Sequence, residues 1–128
     1  MKNMRYLDSE GVWLLPPPEG ESFEIIVAGN QSAPSAARMA MVEKAIPKIG
    51  ELCAKAISYL DAFVDRNKFA PGDNWYFEGL DSGRLAGQSE DQLSLYFSIE
   101  GDTYGEWSVS FQITGPHHFP IAFFRRQY

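Results

Sequence analysis

The chain has 128 residues, of which 45% are hydrophobic and 22% charged, with a formal net charge of −6. That length suits one domain, here taken as 1–128, and the composition is that of a globular chain. The excess of acid excludes nonspecific nucleic-acid binding, since the summed field repels phosphate, and Cys53, the only cysteine, leaves no intrachain disulfide and no cysteine-rich metal centre.

The opening residues Met1-Lys2-Asn3-Met4-Arg5-Tyr6 lack the apolar run of a signal peptide. No stretch is long and apolar enough to span a bilayer, so a cytoplasmic location is expected. Arg5 to Leu7 and Val12 to Leu15 read as short strands joined by the turn Asp8-Ser9-Glu10-Gly11. Pro16-Pro17-Pro18 must be a loop, because successive prolines cannot donate to a ladder. Phe23 to Val27 predicts a third strand, broken by Gly29-Asn30-Gln31.

A long helix follows. Ser32 is the expected N-cap, with Pro34 in the first turn, where its missing N–H costs nothing. Met39, Val42, Ile46, Ile49, Cys53, Ala56, Leu60 and Phe63 step by threes and fours and predict one buried stripe. Pro47 should kink or break the helix, which fades near Asp65. Pro71-Gly72-Asp73-Asn74 is expected to be a loop.

The remainder reads as a meander. Trp75 to Leu80 is a strand and Asp81-Ser82-Gly83 a turn; Gly87 to Asp91 is a polar loop. Two strands then alternate strictly. Leu93, Leu95, Phe97 and Ile99 are apolar, as are Trp107, Val109, Phe111 and Ile113. Ser94, Tyr96, Ser98, Ser108, Ser110 and Gln112 fall between them and are expected to be wet. Both strands must present their apolar side chains to the same face. Ile99 opposite Trp107, Phe97 opposite Val109 and Leu95 opposite Phe111 satisfy this. After Gly115-Pro116, Phe119 to Arg125 is the last strand, with Phe119, Ile121 and Phe123 on one face. The fold class is therefore α+β, in the order β-β-β-α-β-β-β-β, with one long helix laid on a mainly antiparallel sheet.

Catalytic chemistry is not visible. His117 and His118 are adjacent on an extended chain and point apart, which suits a turn better than a metal. Cys53 sits on the apolar stripe, where a thiol behaves as a small hydrophobe. Gly79-Leu80-Asp81-Ser82-Gly83 lacks the Lys-Ser/Thr ending of a phosphate loop. No catalytic residue, cofactor or metal is expected. Glu100, Asp102 and Glu106 gather at the central hairpin tip, where carboxylates suit contact with a basic partner better than catalysis. Tyr76, Glu78, Tyr96 and Phe124 add aromatic and acidic area to the polar sheet face.

Three segments carry a resemblance. Trp75-Tyr76-Phe77-Glu78-Gly79-Leu80, Asp102 to Phe111, and Pro120 to Arg126 resemble the closing meander of small bacterial α+β domains, among them immunity proteins of toxin systems. The resemblance spans under half the chain and rests on aromatic patterning. It implies a small, acidic, non-catalytic protein that blocks a toxin by binding it, and it assigns no residue a role. The function expected is thus a non-enzymatic protein-binding domain, such as an immunity-type inhibitor. Its candidate contact residues are Tyr76, Glu78, Tyr96, Glu100, Asp102, Glu106 and Phe124. The partner is another protein of basic character, or a second copy of the chain, and neither nucleic acid nor a membrane. The alternative is a small-molecule binder or enzyme with a pocket between helix and curved sheet.

Overall fold

A computed structural model describes residues 4–69, 74–85 and 87–128. Seven strands form one sheet: β1 (Arg5–Leu7), β2 (Val12–Leu15), β3 (Glu24–Ala28), β4 (Tyr76–Ser82), β5 (Gln92–Ser98), β6 (Gly105–Thr114) and β7 (His117–Gln127). They lie side by side in chain order. Every neighbouring pair is antiparallel except β3 and β4, which are parallel. A parallel pair needs a long crossover, and the helical segment provides it. The fold is α+β. Among the described residues no helix is long and apolar enough to cross a membrane. The loop expected at 71–73 lies outside the described residues.

Pro47 breaks the helix. Helix α1 (Ala36–Ala45) passes through a single 3-10 turn, Ile46–Lys48, into α2 (Ile49–Phe63). The break leaves the buried face in step, because Ala45 and Leu52 are two α-helical turns apart. Val42 and Ala45 are buried before the turn; Leu52, Ala56 and Leu60 are buried after it. The uninterrupted stripe expected from the sequence passes over Leu52 and ends on Phe63, which is exposed. The helix also starts later than Ser32. Asn30 Oδ1 accepts the backbone N–H groups of Ser32 and Ala33, at 2.9 and 3.1 Å, and holds them in a side-chain turn. Ser35 is the N-cap, so Pro34 precedes the helix.

The helices cover one sheet face. Leu80, Leu93, Leu95, Phe97, Val109 and Phe111 have no measurable exposure and pack with Val42, Leu52 and Leu60 in the main core. The central hairpin keeps the expected parity but slips by two residues. Phe97 pairs with Trp107, Leu95 with Val109 and Leu93 with Phe111. The tip is longer because two successive turns close it, from Ile99 to Asp102 and from Asp102 to Gly105. A shift of two leaves every side chain on its own face, so core patterning does not distinguish the two registers.

Strand β7 is an edge strand with a register shift against β6 near Ser110 and Phe111. Ile121 is the extra residue. Phe119 therefore lies in the row of Gln112, while Phe123 lies in the row of Val109 and joins the core. The three do not share a face, because a bulge reverses the alternation beyond it.

Candidate functional site

The second sheet face, away from the helices, was expected to be wet. Its centre is buried. Ser94, Ser108 and Ser110 are covered, and Tyr96 is only 3% exposed. The cause is the connection after β4, which turns at Gly83 (φ +94°) and folds back. Within it, the amide nitrogen of Gln88 donates to Ser94 Oγ at 2.9 Å, and its amide oxygen accepts the Gly83 N–H at 2.7 Å. Ser94 and Ser110 share a hydrogen bond of 3.0 Å beneath it. Small polar side chains thus bind one another and the covering loop, which lets a serine-rich face be buried without orphaned hydroxyls.

Arg84 is the main cover. Its guanidinium carbon stands 4.6 Å from the Tyr96 ring centre. Its Nε donates to Asp81 Oδ2 at 3.2 Å, and its two terminal nitrogens donate to the two oxygens of Glu106. Burial alone would lower the Arg84 pKa, but the hydrogen bonds to Glu106 and the charges of Asp81 and Glu106 outweigh it, so the side chain stays cationic. Asp81 is fully buried and its Oδ1 has no hydrogen-bond partner among the described residues. Burial pushes its pKa up to about 7 despite Arg84.

Tyr96 fits because β4 carries Gly79 opposite it. A Cβ at Gly79 would come within 2.6 Å of both Tyr96 Cζ and the Glu24 carbonyl oxygen. The Tyr96 hydroxyl donates to Glu24 Oε1 at 2.9 Å, and burial followed by this bond raises its pKa. The β4–β5 register shifts between Phe77 and Gly79, so Glu78 is an extra residue, and it accepts the Ser98 hydroxyl at 2.7 Å. Tyr128 closes the group by donating to Glu106 Oε2 at 2.6 Å.

These side chains line a pocket of about 260 Å³. Glu24, Glu78 and Glu106 supply three carboxylates; Tyr96, Ser98 and Tyr128 supply hydroxyls. Glu106 is saturated by Arg84 and Tyr128. Glu24 and Glu78 each keep an oxygen with no partner among the described residues. Phe124 and Tyr76, 51% and 48% exposed, belong to the same sheet face, in the rows of Ser108 and Ser98. Among the described residues no group of three or more His, Cys, Asp or Glu side chains has metal-holding geometry. A small opening with two exposed carboxylates and a tyrosine edge can accept a single organic cation.

The contact residues expected from the sequence therefore divide. Glu78, Tyr96 and Glu106 line the pocket, and Tyr76 and Phe124 are exposed. Tyr96 is not a wet anchor, because Arg84 lies over its ring. The acidic tip does not exist as a cluster. Glu100 faces solvent, Glu106 turns to Arg84, and Asp102 is 9% exposed. Asp102 accepts Trp107 Nε1 at 2.7 Å and Arg125 Nε at 2.9 Å, so it ties the tip to β7. Gly105 leaves the room this carboxylate occupies: a Cβ there would lie 2.5 Å from Asp102 Cγ. Glu24 and Arg84 were not singled out from the sequence. Glu24 falls within the strand expected at Phe23 to Val27, and Arg84 just after the turn expected at Asp81-Ser82-Gly83. No local pattern signals a loop arginine that reaches across three strands.

Comparison with family models, with curated proteins and with solved structures finds no match for this chain.

Proposed function

We propose that this protein is a non-enzymatic protein-binding domain that receives a lysine or arginine side chain of its partner in the pocket of Glu24, Glu78 and Glu106. The observation that carries the reading is the convergence of the exposed Glu24 and Glu78 carboxylates on one pocket beside half-exposed Tyr76 and Phe124. A cationic side chain would gain charge-assisted hydrogen bonds there, while the aromatics supply apolar contact area. The net charge of −6 favours encounter with a basic partner. An immunity-type inhibitor, as the aromatic meander suggests, is one protein that works in this way.

The test compares partner capture by the wild-type chain and by Glu24→Gln/Glu78→Gln, followed by binding kinetics at two salt concentrations. The double variant should lose the partner, and wild-type association should slow as salt rises. Phe124→Ala should mainly speed dissociation. Equal capture by both chains, or an acidic partner, overturns the reading. If the captured protein is a toxin, inhibition should saturate at one equivalent.

A further inference from the structure

A second cavity lies on the helix side, away from the acidic pocket. It is a cleft of about 630 Å³ between α1, the proline turn and the β6–β7 hairpin end. That volume is in the range of small-molecule sites. Ala40, Met41, Ala45, Ile113 and Pro116 give it apolar walls.

Lys44, in the last turn of α1, and Lys48, in the 3-10 turn that follows, both line it. The ion pairs among the described residues use Lys55, Arg66, Arg84 and Arg125, and neither Lys44 nor Lys48 has a hydrogen-bonding partner there. His118 forms a third polar point. It is mostly buried, yet no described residue hydrogen-bonds its ring, and its backbone carbonyl is held by Lys55 Nζ at 3.3 Å. Burial, Lys48 and Lys55 lower its pKa, so at neutral pH it offers an uncharged N–H. Two acids stand on the same rim. Asp91 is engaged by Ser89 and by Gln112 at 2.7 Å, and Glu90 is exposed. The cleft thus carries two ammonium groups and two carboxylates; Asp91 is turned to Ser89 and Gln112, while Lys44 and Lys48 keep all their donors for a ligand.

We infer that this cleft binds an organic anion with an apolar body and a single carboxylate or sulfonate head, the head held between Lys44 and Lys48 and the body laid on Met41 and Ile113. The anionic head meets charge-assisted donors, and the body excludes water from the apolar walls. Pro47 helps by ending α1 at the cleft, so that Lys48 follows Lys44 round the 3-10 turn. The inference does not depend on the protein-binding reading.

The test is fluorescence titration with 8-anilinonaphthalene-1-sulfonate, an aromatic sulfonate, beside its uncharged analogue N-phenyl-1-naphthylamine. Wild-type protein should bind the sulfonate at one equivalent, with decanoate displacing it. Lys44→Gln/Lys48→Gln should weaken the sulfonate about tenfold or more and leave the neutral dye unchanged. Ala40→Trp, which fills the cleft from an exposed helix position, should weaken both dyes. No sulfonate binding, or equal sulfonate affinity in wild type and the lysine variant, overturns the inference. Both lysines are exposed, so the lysine variant decides the matter even if Ala40→Trp fails to fold.

Discussion

Arg84 lies over the Tyr96 ring while its guanidinium joins Asp81 to Glu106, two carboxylates on different strands of one sheet face. The cluster has both fixed geometry and little solvent, so losing Arg84 leaves Glu106 and Asp81 without their shared counterion. Arg84→Ala should cost about 3–5 kcal/mol in urea unfolding, as for other broken buried pairs. Arg84→Lys should recover only part, since an ammonium cannot span both carboxylates with a planar fork. A loss below about 1 kcal/mol would mean that neither Glu106 nor Asp81 depends on Arg84 as a counterion.

Asp81 should make the protein less stable as pH rises. Its folded pKa, about 7, exceeds the ordinary 3.8, so the folded state holds a proton that the unfolded chain has released. Stability from this group is therefore complete below 3.8, falls through the interval up to about 7, and is level above it. Asp81→Asn should remove that slope and stabilise the protein at pH 8 by on the order of 1–3 kcal/mol. Unfolding curves at pH 5 and pH 8 for both proteins check this, and equal slopes would contradict it.

Asp102 should behave in the opposite sense. The hydrogen bond from Arg125, then that from Trp107, hold its carboxyl below the usual carboxylate range against the effect of burial. Its contribution is present above the unfolded pKa and is lost as pH falls through the folded value. Asp102→Asn should cost about 1–3 kcal/mol at pH 7, with the gap closing in acid. Asp102→Lys should lower the thermal midpoint sharply, because it sets a cation against Arg125 beside Trp107. A charge reversal that left the midpoint unchanged would restore Asp102 as a free surface charge.

Cys53 should be slow to react. It packs partly buried against the main core, and burial pushes its thiol up to about 11. Little thiolate exists at neutral pH, and thiolate is the reacting species. Labelling by a thiol reagent should be slow in the native protein and fast in urea. Rapid native labelling would show that the helix face turns Cys53 outward.

Much of the fold was legible because two periods are written plainly in the chain. Alternation of apolar and polar residues in β5 and β6 assigned Leu95, Phe97, Val109 and Phe111 to the core, and all four have no measurable exposure. Parity alone could do this, since a strand side chain has only two faces to choose from. The same argument could not fix the register, because a slip of two preserves parity. It failed at β7, where one bulged residue reverses the alternation. On the helix the expected stripe ran one residue wide of the centre: Leu52 is fully buried, and Cys53 beside it only partly.

The candidate site was less legible, for a different reason. By itself the sequence determined that the chain would build a helix-on-sheet core and carry carboxylates and aromatics at Tyr76, Glu78, Tyr96, Glu106 and Phe124. Only the tertiary structure decided which of these meet, and which are wet. The loop after β4 folds onto the second sheet face, and Arg84 there covers Tyr96 and draws in Asp81 and Glu106. Local pattern records which side of a strand a residue occupies. Whether that side sees water depends on a contact between segments far apart in the chain, where long-range charge pairing and desolvation outweigh the residue's own preference.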